Sequence, residues 1–275
     1  MESMKSSVIH CVLICFTLLL TNIYGISQSQ SSGKPIPIPP RLVAHAGGNF
    51  DGLVLTNSLQ ALNQSYREGF RYIELDLLMT RDSVAVLSHD WEYVRGLRKL
   101  PPRKKLPTFR EMKSSSTGLK LLDLKRLSRW IQKHDDVRII TDVKDHNLRM
   151  LQLIKNKFPS LQKFIIPQIY TLKEYEQVSG LGYTSIILTL YKLKIPDEEI
   201  LAFCKTHDLF GLTVSKERGS GTFLQQCTAL PIPVFIHTVN DPDEYRRLRA
   251  LGVFGVYTDF LRPDMMPGLL QHKVN

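Results

Sequence analysis

Tyr72-Ile73-Glu74-Leu75-Asp76-Leu77-Leu78 is apolar almost throughout, yet it carries two carboxylates two residues apart. Side chains alternate along a strand, so Ile73, Leu75 and Leu77 share one face while Glu74 and Asp76 share the other. An apolar run of this kind belongs to a parallel strand covered on both sides, where a buried charge requires a partner or a metal. A hard cation held by oxygen ligands meets that requirement; carboxylates in solvent at a strand end, or paired with arginines, are the plainer alternatives.

Working outward, similar apolar or β-branched runs recur at Leu42–Ala44, Arg138–Val143, Phe164–Gln168, Ser185–Leu190, Leu209–Val214, Val234–Val239 and Val253–Thr258. Between them lie helix-like stretches at Ser58–Glu68, Leu121–Lys133, Asn147–Phe158, Leu172–Ser179, Glu198–His207 and Pro242–Leu251, several opened by Ser, Asp or Asn. Eight strand-and-helix units in about 235 residues predict an α/β fold, a single-domain (β/α)8 TIM barrel; an open doubly wound sheet is the alternative that strand counting leaves.

The chain of 275 residues is 43% hydrophobic and 23% charged, enough for a substantial core and inconsistent with disorder. Its net charge of +10 suits an anionic partner without naming one. Lys5 precedes the uncharged stretch Val8–Leu20, which reads as the core of a secretory signal over residues 1–25. At 1.5 Å per residue that stretch spans roughly 20 Å, too short for a bilayer core of roughly 30 Å. The predicted organisation is therefore a signal peptide at 1–25, a linker at 26–40 and a folded barrel domain at 41–275. Export would leave Cys204 and Cys227 in an oxidising compartment where they could pair, although their spacing does not decide it.

Further polar residues fall at predicted strand ends. His45 enters the turn His45-Ala46-Gly47-Gly48, His89-Asp90 follows the run Ala85-Val86-Leu87, and Asp142 and Lys144 close the Arg138–Val143 strand on one face. In a TIM barrel the C-terminal strand ends converge on the active site. Between Arg95 and Lys105, six cations surround Pro101-Pro102, which reads as an exposed loop able to attract an anionic lipid or polymer surface.

These motifs together resemble the glycerophosphodiester phosphodiesterase family. The resemblance rests on His45-Ala46-Gly47, Thr56-Asn57-Ser58, Glu74-Leu75-Asp76, His89-Asp90, Leu106-Pro107-Thr108-Phe109, Thr141-Asp142-Val143-Lys144, His237-Thr238-Val239-Asn240 and the stretch Gly252 to Asp259. It covers nearly all of residues 41–262 and implies a (β/α)8 barrel. It further implies that Glu74, Asp76 and Asp142 hold a divalent cation, Mg²⁺ or Ca²⁺, and that His45 and His89 serve as acid and base. Lys144, Gln168 and Asn240 are the expected substrate contacts. The substrate would be a small-molecule or lipid phosphodiester, and a nucleic-acid partner is not expected.

Three departures bear on that reading. The family arginine after the first histidine is Ala46, so a bidentate phosphate contact is missing and Lys144 or another cation must hold the phosphate. The third carboxylate is Asp142 rather than glutamate, and Thr56 replaces a glutamate at the helix start, read as a capping or loop change. Two other functions fit the same residues less well: a phospholipase D-like enzyme or lyase of the same barrel group releasing a cyclic phosphate, and a non-catalytic barrel binding anionic lipid or polymer.

Overall fold

The computed structural model describes residues 41–100, 105–114 and 118–265. The expected export segment, the linker, and Pro101 to Lys104 lie outside the described residues. Nine strands form one sheet: β1 Leu42–Ala44, β2 Tyr72–Met79, β3 Ala85–Leu87, β4 Arg138–Val143, β5 Ile165–Ile169, β6 Ile187–Thr189, β7 Gly211–Ser215, β8 Val234–His237 and β9 Gly255–Thr258. The order β1-β9-β8-β7-β6-β5-β4-β2, with β1 pairing back onto β2, closes eight parallel strands into the barrel; β3 runs antiparallel beside β2. That hairpin is the one addition to the eight-strand expectation.

Ten α-helices accompany the described strands: α1 Leu59–Arg67, α2 Trp91–Leu97, α3 Phe109–Ser114, α4 Leu124–Ile131, α5 Asn147–Lys157, α6 Pro159–Gln162, α7 Glu174–Gly180, α8 Asp197–Thr206, α9 Gly221–Thr228 and α10 Pro242–Ala250. Five are opened by a side-chain cap, each accepting a hydrogen bond from a backbone N–H in the first turn: Ser58 from Ala61, Asp90 from Tyr93, Thr108 from Glu111, Asp123 from Arg126 and Asp241 from Glu244. Thr56 supports the first of these, its hydroxyl lying 3.0 Å from that of Ser58.

The interior of the barrel is an apolar plug of Val43, Ile140, Ile166, Ile187, Phe210, Phe235 and Tyr257. The close approach of Phe235 explains Gly211: a Cβ there would lie 2.8 Å from the Phe235 ring. Period two then fixes what sits above the plug. Two residues beyond Val43, Ile140, Ile166, Ile187, Phe235 and Tyr257 come His45, Asp142, Gln168, Thr189, His237 and Asp259, on the same inward face. The plug thus carries a polar layer at the C-terminal mouth, and register aligns it, Asp76 standing opposite Asp142.

The cationic stretch is a correction to the sequence reading. Arg95 lies within α2, and Arg98 is buried at 4% exposure, with its guanidinium donating to the Met112 carbonyl at 3.3 Å. A turn of helix directs Arg98 against α3 rather than into an exposed loop; Lys99 and Lys105 remain exposed. Cys204 and Cys227 are free, buried thiols, and burial pushes them up to about 11 and about 12.

The plug makes a direct prediction. Phe235 is fully buried, so Phe235→Ala should cost about 3–5 kcal/mol of stability, measured as a lower urea midpoint at unchanged slope.

Candidate active site

The Glu74, Asp76 and Asp142 carboxylates meet at the mouth, at 2%, 1% and 9% exposure, with one oxygen from each within 4.8 Å of the others. Every neighbour of this trio is fixed by a local feature of the chain. Ala46 takes a left-handed conformation at φ 47°, which turns its backbone N–H onto Glu74 Oε2 at 2.7 Å. Gly48 follows at φ +87°, and a Cβ there would lie 2.2 Å from Ser65 Oγ, so the turn requires glycine. Asn57 clasps Asp76 twice, its amide donating to Oδ2 at 2.8 Å and its carbonyl accepting from the Asp76 N–H at 2.9 Å.

Asp142 accepts hydrogen bonds from the Tyr170 and Tyr191 hydroxyls at 2.6 and 3.0 Å. The Lys144 ammonium bridges Asp76 Oδ1 at 2.6 Å and Asp142 Oδ2 at 2.7 Å. Burial disfavours the charge on Lys144, but these two carboxylates outweigh it and push the ammonium well up. For Asp142 burial likewise opposes ionisation, and Lys144 with the two tyrosines holds the carboxyl below its usual range. Glu74 goes the other way. Burial and repulsion from Asp76 push its carboxyl well above the usual range, and its Oε1 has no hydrogen-bond partner.

This electrostatic imbalance is a test of metal fit. Ionising all three carboxylates against the one Lys144 ammonium would leave two negative charges to be compensated, the charge of one divalent cation, and without such a charge Glu74 is pushed toward its protonated form. The donors are hard oxygens of the type Mg²⁺ and Ca²⁺ prefer, and one buried oxygen is unpartnered. The residues therefore fit the cation.

Both histidines are pinned at Nδ1. His45 meets Asp259 at 2.9 Å, and Asp259 is itself held by the Asn240 amide at 2.8 Å and accepts no freedom from its backbone, whose N–H donates to Asn240 Oδ1 at 2.7 Å. Asn240, expected at the substrate, thus stands behind the partner of His45. Burial lowers the pKa of His45, but the Asp259 hydrogen bond and the charges of Glu74, Asp259 and Asp76 outweigh it and raise it to about 9. His89 meets Asp90 at 2.7 Å, and Asp90 uses its other oxygen to cap α2. The Ser88 N–H donates to the Asp76 carbonyl at 3.0 Å, which brings the segment carrying His89 against β2. Gln168 lines the central cleft and accepts from the Thr189 hydroxyl.

Tyr170, Tyr191, His237 and Asp259 belong to this site but escaped the sequence reading as candidate site residues. The signal for two of them is there: His237 and Asp259 each lie two residues beyond an inward-facing plug residue. The tyrosines lie past strand ends in loops, where no periodicity marks them.

Residues 45–182 match the glycerophosphoryl diester phosphodiesterase family. The chain belongs to that family. It is a phosphoric diester hydrolase. Similar solved structures agree on the fold: a glycerophosphodiester phosphodiesterase from Thermotoga maritima at 22% identity and TM-score 0.65, covering 82% of this chain and 96% of its own. One from Parabacteroides distasonis is 21% identical at TM-score 0.64, covering 84% and 96%. A phosphodiesterase from Oleispira antarctica, solved with the product sn-glycerol-3-phosphate, is 16% identical at TM-score 0.67, covering 84% and 96%. Ala46, fully buried, offers the site a backbone N–H and no cationic arm.

The His45–Asp259 pair has a pH signature. Its contribution to stability is complete below about 6.5 and is lost as pH rises through about 9. In metal-free protein, Asp259→Asn should bring the His45 midpoint down from about 9, followed by NMR titration of the ring; an unmoved midpoint would remove Asp259 as the cause.

Proposed function

We propose that the protein hydrolyses glycerophosphodiesters with His45 and His89 as the acid–base pair and a divalent cation at Glu74, Asp76 and Asp142. The observation that carries this reading is the paired pinning: each imidazole is held at Nδ1 by its own carboxylate, which leaves each Nε2 for proton transfer, and both stand at the mouth that holds the carboxylate trio. When bound, the cation supplies neutralisation of charge on a phosphate oxygen in the transition state.

The remaining work belongs to the chain. His45, held by Asp259, is the acid that protonates the leaving alcohol oxygen as the P–O bond breaks. His89 takes a proton from the attacking water as the new P–O bond forms, and Asp90 stabilises the imidazolium that results. The two protons restore the starting state when they are returned to solvent and taken up from it. Lys144, held between Asp76 and Asp142, is placed to approach a phosphate oxygen from the side of β4.

Export with removal of the signal is part of the proposal and rests on Lys5 and the apolar stretch Val8–Leu20; N-terminal sequencing of secreted protein that starts near residue 26 supports it, and protein retained in the cytoplasm with Met1 intact overturns it.

Purified protein incubated with glycerophosphodiesters and Mg²⁺ or Ca²⁺ should release a phosphomonoester, identified by phosphorus NMR. A cyclic phosphate as the final product would favour the lyase chemistry of the same barrel group, and no turnover would favour a binding protein. His45→Ala and His89→Ala should each lower kcat by at least about 100-fold, with metal binding kept. Near-normal kcat in either variant removes that residue from its role.

A further inference from the structure

Among the polar groups of the central cleft, nearly all are already committed. The cleft has a volume of about 20 Å³ and is walled by His45, Glu74, Asp142 and, from the far side of the barrel, Gln168, Tyr191 and His237 together with inward threonines and Tyr257. Gln168 is taken by Thr189, Thr213 lies 3.2 Å from the Tyr257 hydroxyl, Tyr191 is taken by Asp142, and His45 by Asp259. Two buried atoms facing this space have no hydrogen-bond partner, Glu74 Oε1 and His237 Nε2. Leaving such atoms unpaired is unfavourable, so the site is built for something that pairs with them. Its volume is that of about one water-sized oxygen.

The two atoms ask for different things. A carboxylate oxygen accepts only, and it calls for a cation or a proton. A neutral imidazole with Nε2–H donates, and it calls for an acceptor oxygen. A phosphodiester bound next to a cation at Glu74 brings such an acceptor, a non-bridging oxygen carrying partial negative charge. The position of His237 is set by the fold: it stands two residues above Phe235 of the plug at the end of β8, and its ring packs edge-on against Tyr191 and Tyr257 with centroids at 5.8 and 6.3 Å.

We propose that His237 is a substrate-binding residue whose Nε2–H donates to a non-bridging phosphoryl oxygen, taking up at the end of β8 part of the phosphate contact that Ala46 cannot make. The inference rests on the phosphodiesterase reading above and adds to it a third imidazole with a role distinct from acid or base. Burial and the neighbouring His45 charge hold His237 below its ordinary pKa, in agreement with a neutral donor. Lys144 and His237 then approach the phosphate from β4 and β8, across the mouth from each other, which replaces one forked guanidinium by two single donors.

The test uses the full-length protein with Mg²⁺ and sn-glycerol 3-phosphate as the probe. The His237 Nε2 resonance, assigned with ¹⁵N-labelled histidine, should shift on binding. His237→Phe keeps the ring packed against the tyrosines and removes the donor; it should raise the Kd for the probe about tenfold and raise KM for a glycerophosphodiester more than it lowers kcat. His237→Gln restores an N–H and should recover most of that loss. Mg²⁺ affinity is measured for each variant, so that a loss transmitted through the cation is recognised. An Nε2 resonance unmoved by saturating probe, a His237→Phe Kd equal to the parent's, or a loss that tracks Mg²⁺ affinity each overturns the assignment. Should His237→Phe fail to fold, the resonance of the unmodified protein decides. A protein that binds no probe at all would instead contradict the phosphodiesterase reading.

Discussion

Three carboxylates share one small, nearly dry space at the mouth of this barrel, and their mutual repulsion is the constraint that the rest of the site answers. Lys144 bridges two of them, Asn57 clasps one, two tyrosines donate to another, and the Ala46 N–H meets the third. Such a cluster does not hold three negative charges unaided, and the upward push on Glu74 is the direct expression of that. A fold that only needed stability would place apolar residues here, as it does one layer below in the plug.

The way the chain solves this problem is local. A left-handed residue at Ala46 and an obligatory glycine at Gly48 shape the turn after β1, from which the Ala46 N–H meets Glu74. Asp90 caps a helix with one oxygen and holds His89 with the other, which makes the start of α2 and the orientation of an imidazole a single structural event. Asn240 does the same for the other imidazole by fixing Asp259 through both ends of its amide. Most buried polar atoms of the mouth are thus mutually satisfied, and among the described residues Glu74 Oε1 and His237 Nε2, buried without a partner, stand out for that reason.

Much of this was legible in the amino-acid order. The alternation in Tyr72–Leu78 separates the carboxylates from the core face, and the repetition of short apolar runs gives the barrel. The carboxylates, His45 and His89 were legible because strand ends converge in such a fold. The supporting groups were not. Tyr170 and Tyr191 reach Asp142 from loops, where sequence carries no period; Asp259 and His237 obey the period but gain meaning only once Val43, Phe235 and Tyr257 are known to point inward. Arg98 was misplaced because a cluster of cations reads as exposed, whereas a short helix and the Met112 carbonyl bury it.

Metal stoichiometry addresses the central claim most directly, that the charge imbalance at Glu74, Asp76 and Asp142 is made to be closed by one divalent cation. Calorimetric titration of Mg²⁺ and of Ca²⁺ into chelator-treated protein should show one site per chain, lost when Asp76 is changed to Asn. Absence of binding at millimolar Mg²⁺ and Ca²⁺, or a full-strength site that survives Asp76→Asn, would contradict it.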